Sequence, residues 1–403
     1  PDSLFGGVTV DFETLRNHGR IPPSAEVQAL GEPAADRAYV DSTGRYVPRR
    51  YKLRFTPDIV YGAAGYDPLY GVQGVTQMMF SDMLGDHRFM VATNLLLDLR
   101  NSDYLISYDY LPRRLDWSTS LFHVSRLLAD FERTNPTYYR YRQYGARLAV
   151  RYPFDKFHRL DAEVGVVGVS QADITDVARP TRSRTLLIPR LTFTRDNAVP
   201  GFLYPVGGSR FAMALSGSPV ALSSDQIRFG TVLMDARTYL SAAGNRLVWA
   251  FRVSGAASFG PHSQVFYTSG VQNWINRDFD DVNGFPISDV SDFVFATPMS
   301  PLRGFDINAA NGSYFALANA EFRFPLAGDV VLFPRIEGLV FVDAGSVWGG
   351  RTTTAALDDL LAGTGFGVRT LFLGWPVRVD FAWPFDGTQF GDRRTYISVG
   401  LDF

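Results

Sequence analysis

The sequence predicts an all-β chain folded as a transmembrane antiparallel β-barrel of about sixteen strands. Three observations predict it. Segments of roughly ten residues alternate apolar and polar side chains with a period of two, as barrel strands with one lipid face and one lumenal face must. The connections between them alternate between short turns and long loops. No stretch approaches the roughly 18 to 20 continuous apolar residues a membrane helix needs, so a membrane chain of this kind has to cross with strands. The composition of the 403 residues, with 37 Gly, 19 Tyr and 32 Phe, suits strands and turns.

Residues 1–50 differ from the rest. Pro22, Pro23 and Pro33 interrupt a mixed polar segment without sustained periodicity, apart from a short helix expected around Ala25 to Leu30. This segment reads as a periplasmic linker or docking segment, too short and too polar for a core of its own. The chain begins at Pro1 with neither Met nor a basic-then-apolar leader, and is expected to be a mature or trimmed chain. Residues 51–403 are expected to form the barrel.

Along the barrel, Tyr104, Ile106, Tyr108 and Tyr110 oppose Asp103, Ser107 and Asp109. Leu160, Ala162, Val164 and Val166 oppose Arg159, Asp161 and Glu163, and Leu247, Trp249, Phe251 and Val253 oppose Arg246, Arg252 and Ser254. Val377, Val379, Phe381 and Trp383 alternate with Arg378, Asp380 and Ala382; Thr395, Ile397, Val399, Leu401 and Phe403 alternate with Arg394, Tyr396, Ser398, Gly400 and Asp402. A helix repeats every 3.6 residues and cannot produce these patterns. Charges are absent from one face because each would cost roughly 2 to 4 kcal/mol at mid-membrane. Alternation alone also fits a soluble sandwich with one wet face.

Loop parity helps to separate the two architectures. Short turns are expected at Leu111–Leu115, Pro153–His158, Ser241–Asn245 and Leu373–Pro376, and long loops at Ser125–Tyr141, Ser170–Arg182, Gly260–Gly312 and Trp348–Leu360. Asp196–Gly207 breaks the rule, and the strands near Thr185–Thr194 and Ile227–Leu240 are ambiguous in phase. An even strand count places both termini on the short-turn, periplasmic side. Trp117, Trp249, Trp348, Trp375 and Trp383 fall near strand ends, where an interfacial girdle would stand.

Composition also narrows function. A net charge of −2 gives no electrostatic case for nucleic acid, and the absence of cysteine excludes disulfides and thiolate metal sites. The histidines, His18, His87, His123, His158 and His262, are scattered without metal-ligand spacing, so neither a cofactor nor an enzyme is expected.

The segment that stands out is Leu302-Arg303-Gly304-Phe305, inside the longest loop. By alternation Asn319, Glu321 and Arg323 share the lumenal face of one strand, and Arg335, Glu337 and Asp343 that of the next. A loop folded into the lumen could therefore bring the Arg303 fork to Glu321 and Asp343, since a guanidinium stays charged and can bond a carboxylate with parallel donors. Gly304 permits a sharp turn and a close approach to the wall, and Phe305 can wedge beside it.

These residues resemble the V/I/L-R-G-Y/F signature on the sixth extracellular loop of the BamA- and TamA-like barrel superfamily, the bacterial surface antigen barrel domain. The resemblance continues through Asn319 to Pro325, Val340 to Trp348, Gly365 to Arg369, Val377 to Ala382 and the terminal Phe403, with Thr194-Arg195-Asp196-Asn197, Pro205 and Gly207 similar to the turn before the ninth strand. It implies a sixth loop anchored inside the barrel by Arg303. It further implies a bacterial outer-membrane protein that assists insertion of other barrels. The implied partners are outer-membrane lipid and lipopolysaccharide, nascent or secreted polypeptide, and periplasmic domains or lipoproteins of an assembly complex. Secretion of a polypeptide through the lumen, or anchoring of an upstream or partner domain, are the alternatives.

The seam is the second candidate. Closure would pair the first strand with the last. The first carries Pro57, Gly62 and Gly65, which weaken a ladder, and the last carries Val399, Gly400, Leu401 and Phe403. A weak seam suits lateral exit into the bilayer; Pro57 equally suits the point where the chain arrives from its linker.

Overall fold

A computed structural model of the chain describes residues 45–46, 51–67, 71–96, 102–130, 137–176, 178–219, 227–276, 296–328, 335–349, 360–372, 375–385 and 388–400. Two compact units divide at Arg54, Pro1–Arg54 and Phe55–Phe403. The linker and short helix expected in residues 1–50 lie outside the described residues, except for positions 45 and 46.

The second unit is built of strands in chain order. They are β1 (Phe55–Asp67), β2 (Gly71–Asp82), β3 (His87–Leu96), β4 (Asp103–Tyr110), β5 (Asp116–Asp130), β6 (Thr137–Pro153), β7 (His158–Asp173), β8 (Arg182–Asp196), β9 (Gly208–Ser218), β10 (Phe229–Ala242) and β11 (Leu247–Phe259). The long loop contributes β12 (Phe266–Thr268), β13 (Thr297–Met299) and β14 (Asn311–Gly312). The wall resumes with β15 (Tyr314–Ala327), β16 (Ile336–Trp348), β17 (Leu361–Phe372), β18 (Trp375–Phe385) and β19 (Arg394–Val399). A 16-stranded sheet runs β1 to β11 and then β15 to β19, while β13-β12-β14 form a separate small sheet. The expected strand count is met. The first strand starts at Phe55 rather than near Tyr51, and β5, β6 and β7 run further into the loops than expected, because paired backbone persists beyond the apolar band.

Period-two alternation decides the faces. In β15 the lumenal Phe315, Leu317, Asn319, Glu321 and Arg323 are all buried, and in β16 so are Leu339, Phe341 and Asp343. Outward positions are apolar and bare: Leu121, Tyr144, Leu148, Val166, Leu215, Trp249, Phe251, Val253, Val340, Val342 and Phe366 are all at least 41% exposed. A continuous apolar belt around a sheet is untenable in water and requires a hydrocarbon solvent. Cross-strand aromatics knit the belt, with Trp249 4.4 Å from Phe322 and Phe366 5.2 Å from Phe381 between ring centroids. The packed core therefore lies inside the sheet, between wall and loop. Phe266, Met299 and Leu302 of the loop pack on Ala256, Phe315, Leu317 and Val347 of the wall.

The exceptional connection between β8 and β9 folds back on itself. Val199 bridges Gly207, and Leu203 and Tyr204 are buried. The ambiguous strands β8 and β10 take the phase set by their neighbours, with Arg190 opposite Ser216 and Arg237 opposite Arg252 on the lumenal side.

Among the described residues no ladder joins β1 to β19; residues 401–403, part of the expected last strand, lie outside them. Proline cannot donate to a ladder, and β1 is bulged between Pro57 and Ile59.

Candidate functional site

Arg303 lies 1% exposed against the lumenal wall. Its Nε donates to Asp343 Oδ2 at 2.6 Å and its Nη2 to Asp343 Oδ1 at 2.7 Å, the parallel fork that suits a carboxylate. The Arg303 backbone N–H adds a bond to Asp343 Oδ2 at 3.0 Å, and Nη1 reaches Glu321 Oε1 at 2.8 Å. The guanidinium carbon sits 3.5 Å from the centre of the Phe341 ring. The structure thus brings Arg303, Glu321 and Asp343 together. Phe305 packs against the apolar cluster around Leu302 and Met299.

Neighbours complete the satisfaction of these buried charges. Asn319 Nδ2 donates to Asp343 Oδ1 and to the carbonyl of Pro301, both at 2.8 Å, tying wall and loop together. Arg323 forks onto Glu321 Oε2 at 2.9 and 2.7 Å, and Tyr204 from the β8–β9 connection stacks 4.4 Å from the Arg323 guanidinium carbon. Beside them Arg369 reaches Asp380 at 2.7 Å, and Asp380 lies 3.9 Å from Arg303 Nη1. A chain of contacts therefore runs from the long loop, through Arg303, Glu321 and Arg323, to a connection at the opposite end of the barrel.

Glycines make the room. Gly304 has φ 107°, and a Cβ there would lie 3.0 Å from Pro384 N. On β17 a Cβ at Gly363 would fall 1.9 Å from the Arg303 carbonyl oxygen, so the loop backbone lies directly on that glycine. Tyr396 of β19 closes the site, its hydroxyl accepting from Gly304 N at 2.8 Å and donating to the Phe305 carbonyl at 3.0 Å.

The seam residues are placed differently. Pro57 stands at the β1 bulge opposite Phe80, and Gly62 pairs with Thr76 of β2. Val399 pairs with Val377, and Gly400 has φ 100° and donates to the Pro376 carbonyl. Leu401 and Phe403 lie outside the described residues. Elsewhere in the lumen a cavity of about 500 Å³ is lined by Arg147, Arg151, Arg159, Arg190, Asp161 and Glu163.

The Omp85 superfamily domain matches residues 94–403. The chain belongs to the Omp85 superfamily. No curated protein sequence matches it. Its fold is similar to that of BamA from Haemophilus ducreyi lacking POTRA domains 1–3, with TM-score 0.55 and 14% identity over 98% of this chain and 82% of that one. It is also similar to CdiB from Acinetobacter baumannii, with TM-score 0.50 and 12% identity over 87% of this chain and 65% of that one. CdiB from Escherichia coli gives TM-score 0.50 and 12% identity over 89% and 64%. This Omp85 chain thus spans less than two thirds of either CdiB.

Sequence reasoning missed several partners in the site. Asn319 and Arg323 were legible as lumenal but not as ligands of Asp343 and Glu321. The pairing of Arg369 with Asp380 could have been found from parity, since both face the lumen on adjacent strands. No periodic signal points to Tyr204 or to the hydroxyl of Tyr396.

Proposed function

We propose that this Omp85 barrel assists insertion of other outer-membrane β-barrels, acting without covalent chemistry through a weak first-to-last seam. The observation that carries the reading is the missing ladder between β1 and β19 among the described residues, beside a β1 bulged at Pro57. A strand edge in a bilayer that no full neighbouring strand holds is a template for another strand, because hydrocarbon offers the backbone no other partner. The lock at Arg303 supports this by fixing the long loop to β15, β16 and β19. In this reading the barrel sits in the bacterial outer membrane among lipid and lipopolysaccharide. Both termini face the periplasm, residues 1–50 form a linker or docking segment there, and nascent polypeptide is the client. Periplasmic domains or lipoproteins would be auxiliary partners.

Purified protein in liposomes should accelerate folding of an unfolded reference barrel over liposomes alone; an unchanged rate would overturn the proposal. The polar lumenal cavity favours a second reading, passage of a polypeptide through the barrel. Transit of an unfolded chain into sealed liposomes without any acceleration of barrel folding would select that reading.

A further inference from the structure

The free edge of β19 is not bare. Loop residues 273–276 lie along it: Trp274 forms an antiparallel bridge with Ser398, and Ile275 N donates to the Ile397 carbonyl at 2.8 Å. Two side-chain amides extend the pairing. Asn273 Nδ2 donates to the Val399 carbonyl at 3.0 Å. Asn276 accepts from Ile397 N at 2.6 Å through Oδ1 and donates to the Thr395 carbonyl at 2.9 Å through Nδ2. A carboxamide has one acceptor and one donor face, as a peptide group does, so Asn276 stands in for a strand residue. Thr395, Ile397 and Val399 alternate along β19, and the groups they turn away from β18 are the ones bonded here.

The pairing is short and shallow. Asn273, Ile275 and Asn276 are exposed, with Ile275 60% exposed. Its attachments lie at its base and on its inner side: Arg378 Nη2 bonds the Gln272 carbonyl at 2.8 Å, Val271 is 3% exposed, and Trp274 packs 4.7 Å from the Tyr396 ring. The Arg303 contacts, by contrast, are wholly buried. The outer part can therefore lift while the buried contacts stay made.

We infer that Asn273–Asn276 is a removable cap that holds the β19 edge satisfied until an extended strand of another polypeptide, apolar at alternate positions, displaces it. The cap keeps an otherwise open edge from pairing at random, and yields to a partner that can pair over the full strand. This inference deepens the seam reading and rests on it, but its test does not use client insertion.

The chain has no native cysteine, so Ile275→Cys with Ile397→Cys places one thiol pair across the cap. Trp274→Cys with Ser398→Cys supplies a second pair, each checked for heat-modifiable mobility. In the purified full chain the disulfide should form under mild oxidation. Saturating amounts of a peptide copying β1, the strand that would neighbour β19 on closure, should slow its formation about tenfold, the scale of competition for a few hydrogen bonds. Asn273→Ala with Asn276→Ala should bind the fluorescent β1 peptide about tenfold more tightly, since the competing cap has lost its amide bonds. Failure of both thiol pairs to close would mean the cap is absent. Closure at an unchanged rate with saturating peptide would mean the edge is not yielded; either result overturns the inference. If the cap behaves as expected while liposome folding is not accelerated, the insertion reading fails and the cap stands.

Discussion

At the residue scale, Arg303 holds the loop because a planar, permanently charged fork meets a carboxylate already oriented by Asn319. Removing one partner of such a buried pair costs on the order of 3 to 5 kcal/mol, because the other is left uncompensated. Arg303→Ala leaves Asp343 in that position, whereas Glu321 keeps its bonds to Arg323. The loss therefore falls mainly on Asp343, and Glu321 is not left as an unpaired charge beside it. Arg303→Ala should make the 260–312 loop sensitive to protease and lower the temperature at which heat-modifiable mobility is lost. Arg303→Lys, which keeps the charge but not the fork, should fall between it and the unaltered protein. Gly363→Val should reproduce the alanine phenotype, because its side chain would occupy the place of the Arg303 carbonyl; an unaltered digestion pattern in that variant would show that the loop does not rest on β17.

At the element scale, β19 acts through both its inner face and its edge. Tyr396→Phe removes the two hydrogen bonds to Gly304 and Phe305 while keeping the ring beside Trp274, and should lower barrel stability by ~1 to 3 kcal/mol in urea-induced unfolding. On the opposite side of the network, Tyr204→Ala should loosen Arg323 and expose the β8–β9 connection to protease without releasing the long loop. These elements differ in how far the sequence reveals them. Alternation in β15 and β16 is legible because lipid excludes charge from one face, and parity then puts Glu321 and Asp343 on the lumenal wall without further information. The edge contact is not legible. Asn276 and Ile397 are 121 residues apart, and an amide imitating a peptide group leaves no periodic trace. The β8–β9 connection was visible as a violation of loop parity and through its resemblance to the turn before the ninth strand, but not in its fold, which depends on burying Tyr204 against a wall the local sequence does not describe.

At the scale of the whole molecule, strand count, antiparallel order and the apolar belt follow from one constraint, that backbone polar groups in hydrocarbon must be paired within the protein. At the seam the described residues show no ladder between β1 and β19, and residues 273–276 meet the outward groups of β19 instead; the proposed insertion function is placed there. The central claim is tested most directly by closing it. Val60→Cys on β1 and Val399→Cys on β19, the strands that closure would make neighbours, are joined with reducible thiol cross-linkers of increasing length, since no other cysteine competes. The rate of reference-barrel folding in liposomes should fall on cross-linking to the rate with lipid alone and recover on reduction. Acceleration that persists undiminished with the strands tied would contradict the account.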